Sequence, residues 1–107
     1  MLSTIYTFTA MKRGDDRVYS LNYAYKRDKN AVLKLMEIRN DYEVIVIHKD
    51  TLNERGQWIK DDPFISWESD TQTLTAYGKN NPYSRPADRD KYESDITPWY
   101  ITAGNLD

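Results

Sequence analysis

The chain has 107 residues, with 15 Lys/Arg against 17 Asp/Glu and a formal net charge of −2. That length suits one domain with one core, and the near-neutral balance gives no bulk attraction to nucleic acid. Cys is absent, which excludes a disulfide framework, a thiolate metal site and a cysteine nucleophile and suits a reducing cytoplasm.

The opening residues Leu2 to Thr9 alternate polar and apolar side chains and lack the charged and apolar regions of a signal peptide. No apolar run approaches the ~20 residues that span a bilayer. A single cytoplasmic domain over residues 1–107 is therefore expected, with no membrane partner. Charge is uneven: residues 1–55 carry 10 Lys/Arg against 8 Asp/Glu, and residues 56–107 carry 5 against 9. This is a mild dipole, weaker than a tail built for a polyanion. Nine Tyr and three Trp are the sharper bias.

Residues 3–26 predict a β-hairpin. Tyr6, Phe8 and Ala10 alternate with threonines, and Tyr19, Leu21, Tyr23 and Tyr25 alternate with small or polar residues. A two-residue type II′ turn at Gly14-Asp15 pairs Ala10 with Tyr19, Thr9 with Ser20, Phe8 with Leu21, Thr7 with Asn22 and Tyr6 with Tyr23. One face is then apolar and the other polar, as a half-buried antiparallel pair requires.

Residues 28–40 predict a helix, with Asp28 or Asn30 as its N-cap and Asn40 as a left-handed C-cap. Ala31, Val32, Leu35, Met36 and Ile38 form its apolar stripe, and Leu33 falls outside it. Tyr42 to Lys49 follows, with four consecutive β-branched residues, Val44 to Ile47. Such a run predicts a central strand covered on both faces. Thr51 and Glu54 have capping-box spacing, but Gly56 comes too soon for a helix, so a single turn or a hairpin tip is expected.

Gln57 to Lys60 reads as a short strand ended by Asp61, Asp62 and Pro63. A second hairpin follows over Phe64–Glu68 and Thr73–Tyr77. A tip at Asp70-Thr71 pairs Trp67 with Leu74 and Ile65 with Ala76, and turns Glu68, Ser66, Thr73 and Thr75 to water.

Residues 79–107 change character and form an irregular, aromatic-rich segment of the same domain. Lys79 to Pro86 is a loop, Pro86 to Ser94 a charged helical turn, and Pro98–Thr102 a final edge strand, with proline at its start. The predicted fold is α+β: an antiparallel or mixed sheet of about five strands with one main helix on one face, in the order hairpin, helix, strand, hairpin.

Candidate chemistry is sparse. His48 is the sole histidine. A small hydrolase or nuclease built on it would need Ser, Asp or Glu partners brought near in space; without them it ends the strand and points to solvent. Asp88 to Glu93 spaces oxygen ligands like a calcium loop, but Tyr92 takes a ligand position and Glu93 the obligatory glycine. No metal or other cofactor is expected. P-loop, dinucleotide-glycine, HExxH and GxSxG motifs are all missing, so no catalytic residue is assigned.

Lys12, Arg13, Arg17, Lys26, Arg27 and Lys29 flank the first hairpin and provide a nucleic-acid reading, with tyrosines nearby for stacking. That reading needs the tyrosines on the open sheet face, whereas the expected register puts them on the covered one. Tyr83, Arg85, Tyr92, Trp99 and Tyr100 combine the residue types that dominate protein interfaces and are the expected partner-binding residues. The leading expectation is a non-enzymatic protein-binding module. Its type is an inhibitor, immunity or counter-defence protein, such as phages and mobile elements carry, that occludes a partner protein.

Overall fold

The computed structural model describes residues 2–78 and 81–83, together with the backbone of Pro98–Thr102. Among these residues the elements run β1 (Ser3–Met11), β2 (Tyr19–Tyr25), α1 (Asp28–Ile38), β3 (Val44–Leu52), β4 (Trp58–Glu68), β5 (Thr73–Tyr77) and β6 (Pro98–Thr102). The strands form one antiparallel sheet in the order β2-β1-β3-β4-β5-β6. The architecture is a small α+β domain.

The first hairpin keeps the expected pairs Ala10–Tyr19, Thr9–Ser20 and Phe8–Leu21. Beyond Phe8 a bulge changes the register, so Tyr6 faces Tyr25 and Thr7 faces Ala24, instead of Tyr23 and Asn22. The bulge adds two residues to β2. An even insertion preserves the alternation of faces, so the apolar side stays apolar.

The connection is also longer than a two-residue turn. Asp15 N donates to Lys12 O at 3.1 Å, with Gly14 at φ +74°. Asp15 then organises the loop by accepting from Tyr19 OH at 2.6 Å and from Arg17 N at 3.0 Å. These bonds to the carboxylate, from Tyr19 first, hold the Asp15 pKa below its usual value.

Helix α1 buries Ala31, Val32, Leu35 and Ile38 and leaves Leu33 59% exposed, as its stripe requires. Its ends differ from expectation. Arg27 is the N-cap, without a side-chain cap bond, and Asp28 Oδ1 instead accepts from Lys29 N at 2.7 Å. Asn40 has no left-handed φ. The terminal carbonyls are met in other ways: Asp41 N donates to Ile38 O at 2.9 Å, and Trp67 Nε1 donates to Arg39 O at 3.0 Å.

The helix residues share one core with Phe8, Ile45, Ile47, Phe64, Ile65, Trp67 and Leu74. Burying each large side chain contributes about 1.5–3 kcal/mol. Central strand β3 is interior, but its two faces differ: Ile45 and Ile47 are buried, whereas Val44 and Val46 are half-buried. Only one face is sealed, because the one described helix covers one side of the sheet.

The β3–β4 hairpin departs most from the sequence reading. Asp61, Asp62 and Pro63 do not end a strand, since β4 runs unbroken for 11 residues. Two irregularities allow this, one opposite Ile47/His48 and one opposite Thr51/Leu52. Strand β5 pairs only with Ile65–Glu68, so Pro63 lies where β4 has no partner on its other side among the described residues. A proline without an N–H is tolerated there.

The β3–β4 tip is a turn held by Asn53, whose Oδ1 accepts from Arg55 N and Gln57 N, both at 2.9 Å. The second hairpin has the expected register throughout, from Ile65–Ala76 to Glu68–Thr73. Thr75, expected in water, is buried, because β5 is flanked by both β4 and β6. Strand β6 is an edge strand, as expected. The expected turn over Pro86–Ser94 and the calcium-like spacing at Asp88–Glu93 lie outside the described residues.

Candidate binding groove on the open sheet face

Alternation in β1 and β3 turns Tyr6, Phe8, Ile45 and Ile47 toward the core. The same alternation turns Thr7, Thr9, His48 and Asp50 to the opposite face. The β1–β3 register sets Thr7 opposite His48 and Ile5 opposite Asp50. The β3–β4 register sets Asp50 opposite Asp61 and Leu52 opposite Trp58. Thr7, Thr9, His48, Asp50, Asp61 and Trp58 line a groove of about 440 Å³, walled on the β2 side by Ser20, Asn22 and Ala24.

Two short polar chains cross the groove floor. In the first, Thr9 Oγ1 lies 2.7 Å from His48 Nε2, and His48 Nδ1 lies 3.0 Å from Asp61 Oδ1. In the second, Thr7 Oγ1 donates to Asp50 Oδ2 at 2.8 Å. Asp50 is only 2% exposed, and its Oδ1 is the buried side-chain polar atom without a hydrogen-bond partner among the described residues. Burial, first of all, raises the Asp50 pKa, and the facing Asp61 carboxylate raises it further; the Thr7 bond and the His48 ring pull the other way. Trp58 stands at the rim, 68% exposed.

His48 is thus not at a strand end pointing to water. It sits inside β3, half-buried, with both ring nitrogens bonded. The hydroxyl–imidazole–carboxylate order matches the proton relay of nucleophilic hydrolases. Acyl transfer also needs N–H donors aimed at the developing oxyanion. Strand β1 lies between β2 and β3, so the amides beside Thr9 belong to the sheet ladders. What the relay does here is fix the position and tautomer of His48 and orient Asp61. Among the described residues, no three His, Cys, Asp or Glu side chains are grouped to hold a metal ion.

The basic and aromatic residues singled out from the sequence lie elsewhere. Lys12, Arg13 and Arg17 occupy the β1–β2 loop, while Lys26, Arg27 and Lys29 follow the far end of β2, seven residues or roughly 20 Å away. Arg13 donates to Asp70 Oδ1 at 2.7 Å and to Ser69 Oγ at 2.9 Å. Arg17 pairs with Asp15 at 3.3 Å, and Lys12 and Arg17 both lie over the Tyr19 ring. Tyr23 and Tyr25 pack edge-on against Phe8, on the core side.

Tyr83 is half-buried with its ring edge-on to Phe64, centroids 6.2 Å apart, and burial raises its pKa. Trp99 and Tyr100 pair through the backbone with Ala76 and Thr75. Arg85 and Tyr92 lie outside the described residues.

The signal for the groove was present in the sequence as Thr7-x-Thr9 and His48-x-Asp50, two polar period-2 pairs. Nothing local indicated that β1, β3 and β4 would lie side by side and face them toward one another. Comparison with known proteins found no matching family model, no similar characterised protein and no similar solved structure.

Proposed function

We propose that the chain is a protein-binding module that acts by occupying and occluding the surface of a partner, as an inhibitor, immunity or counter-defence protein does. The observation that carries this reading is Trp58, a large indole left 68% exposed at the rim of a groove. Tryptophan is the side chain most enriched at the energetic centres of protein interfaces, because one residue supplies a large rigid contact area.

The register Ser3–Leu52–Trp58 gathers further apolar surface at the same end of the sheet. Leu2 and Ile59, both well exposed, lie there. The reading therefore places the contact surface at the β3–β4 end of the open face. No helix among the described residues is long and apolar enough to cross a membrane.

The test is capture from a lysate by tagged protein, wild type against Trp58→Ala, after nuclease treatment and at two salt concentrations. A stoichiometric protein retained by the wild type and lost by Trp58→Ala, with the thermal midpoint unchanged, is the expected result. Recovery of nucleic acid alone, or equal capture by both proteins, overturns the reading.

A further inference from the structure

From the opposed Asp50 and Asp61 carboxylates in one groove with the exposed Trp58, we infer that the open-face groove is a receptor for an arginine side chain of the partner. This rests on the protein-binding reading and names the chemistry of its contact.

Three observations lead to a cation. First, Asp50 and Asp61 are a directly opposed cross-strand pair. Like charges in that position repel, and an ordinary sheet avoids them. Second, Asp50 Oδ1 is buried without a partner, although Asp50 lines the groove. A buried acceptor left unpaired is a standing cost that a donor would remove. Third, Trp58 lines the same groove as the two carboxylates, and an indole attracts cations through its ring quadrupole.

A guanidinium fits these features better than an ammonium. It is planar, carries five N–H donors in a fixed fork and stacks on aromatic rings while one edge meets carboxylates. Asp61, with its side chain half-exposed and Oδ1 held by His48, makes the direct bond. Asp50 stands behind it as the second carboxyl of the opposed pair. The 440 Å³ of the groove lies within the range of small-ligand sites. The titratable groups facing Asp50 are His48 on its own strand and Asp61 on β4.

The test is a titration of ¹⁵N-labelled protein with N-acetyl-arginine methylamide, and with its uncharged citrulline counterpart, followed by NMR. Wild type, Asp61→Asn and Trp58→Ala are compared. Both substituted side chains are well exposed, and amide shifts in α1 and β5 report that the fold is intact.

The expected result is a saturable shift of the Trp58 indole N–H and of residues 48–50 and 58–61, with an affinity on the order of millimolar. Asp61→Asn weakens it about tenfold, and citrulline gives no shift. No saturable shift, an equal response to citrulline, or an unchanged response in Asp61→Asn overturns the inference.

The two proposals separate in the capture experiment. A protein lost by Trp58→Ala but kept by Asp61→Asn, with no arginine response, sinks the arginine site and leaves the docking surface. An arginine response with no Trp58-dependent capture does the reverse.

Discussion

Asp50 of β3 stands directly opposite Asp61 of β4, with the Thr7 hydroxyl bonded to one Asp50 oxygen at 2.8 Å and the other oxygen buried and unpaired. An acid in this position is more costly folded than unfolded whenever it is ionised. Its raised folded pKa means that it binds its proton more tightly in the fold than in the unfolded chain. Its favourable contribution is therefore complete below the ordinary value of 3.8 and is lost as pH rises through the folded value.

Asp50→Asn should consequently stabilise the protein at pH 7 by about 1 kcal/mol, because the amide still accepts from Thr7 and donates toward Asp61. Urea unfolding of both proteins between pH 4 and 7 checks this. The advantage of the Asn variant should grow with pH. A variant less stable than wild type at pH 7 would show that ionised Asp50 is satisfied in the fold.

The two leucines of α1, two positions apart, give a test of the core. Leu35 is fully buried and Leu33 is exposed. Leu35→Ala should cost about 2–5 kcal/mol through lost burial and the cavity left behind. Leu33→Ala should change stability by less than about 0.5 kcal/mol. Chemical denaturation of the pair decides whether the stripe is packed as described.

Trp67 ties the end of the helix to β4 through its indole N–H on Arg39 O. Trp67→Phe removes that donor, leaves the carbonyl unmet and opens space in the core, for a loss of about 2–4 kcal/mol. Hydrogen exchange should quicken first in the last turn of α1. Uniform acceleration across the sheet would place the damage elsewhere.

At the β3–β4 tip, Gly56 has φ +75°, and a Cβ there would meet nothing within 4 Å. The penalty for a side chain is therefore backbone strain without a clash. Gly56→Ala should cost about 1 kcal/mol, and Gly56→Asn less, since asparagine tolerates the left-handed region. Thermal unfolding that ranks Ala above Asn would contradict this account.

Much of the fold was legible where the information is local. Period-2 alternation located β1, β2 and β5, and the register of the second hairpin followed from a short tip between two clear strands. The α1 stripe separated Leu33 from Leu35 by angular position alone. Strand ends were less legible. Asp61-Asp62-Pro63 has the composition of a strand breaker, yet Pro63 is accommodated because β4 has no second neighbour there among the described residues, and that depends on where β5 stops.

Of the candidate groove, His48 was visible as a lone residue and Asp61 as a supposed stop signal. Thr7 and Thr9 were visible only as a polar period-2 pair, and Trp58 carried no functional mark. Their relationship spans sequence separations of 39 residues between Thr9 and His48, and 43 between Thr7 and Asp50.

By itself the sequence determined most of the residues that face the core, because burial follows the periodicity of each strand and helix; Thr75, read as facing water, is an exception. It also determined the absence of thiol chemistry and the near-neutral charge. Only the tertiary structure decided that β3 would lie between β1 and β4. Strand order depends on free energies of packing distributed over many side chains, with no residue encoding it alone. That order sets one carboxylate against another, bonds both nitrogens of the only histidine and leaves an exposed indole in the same groove.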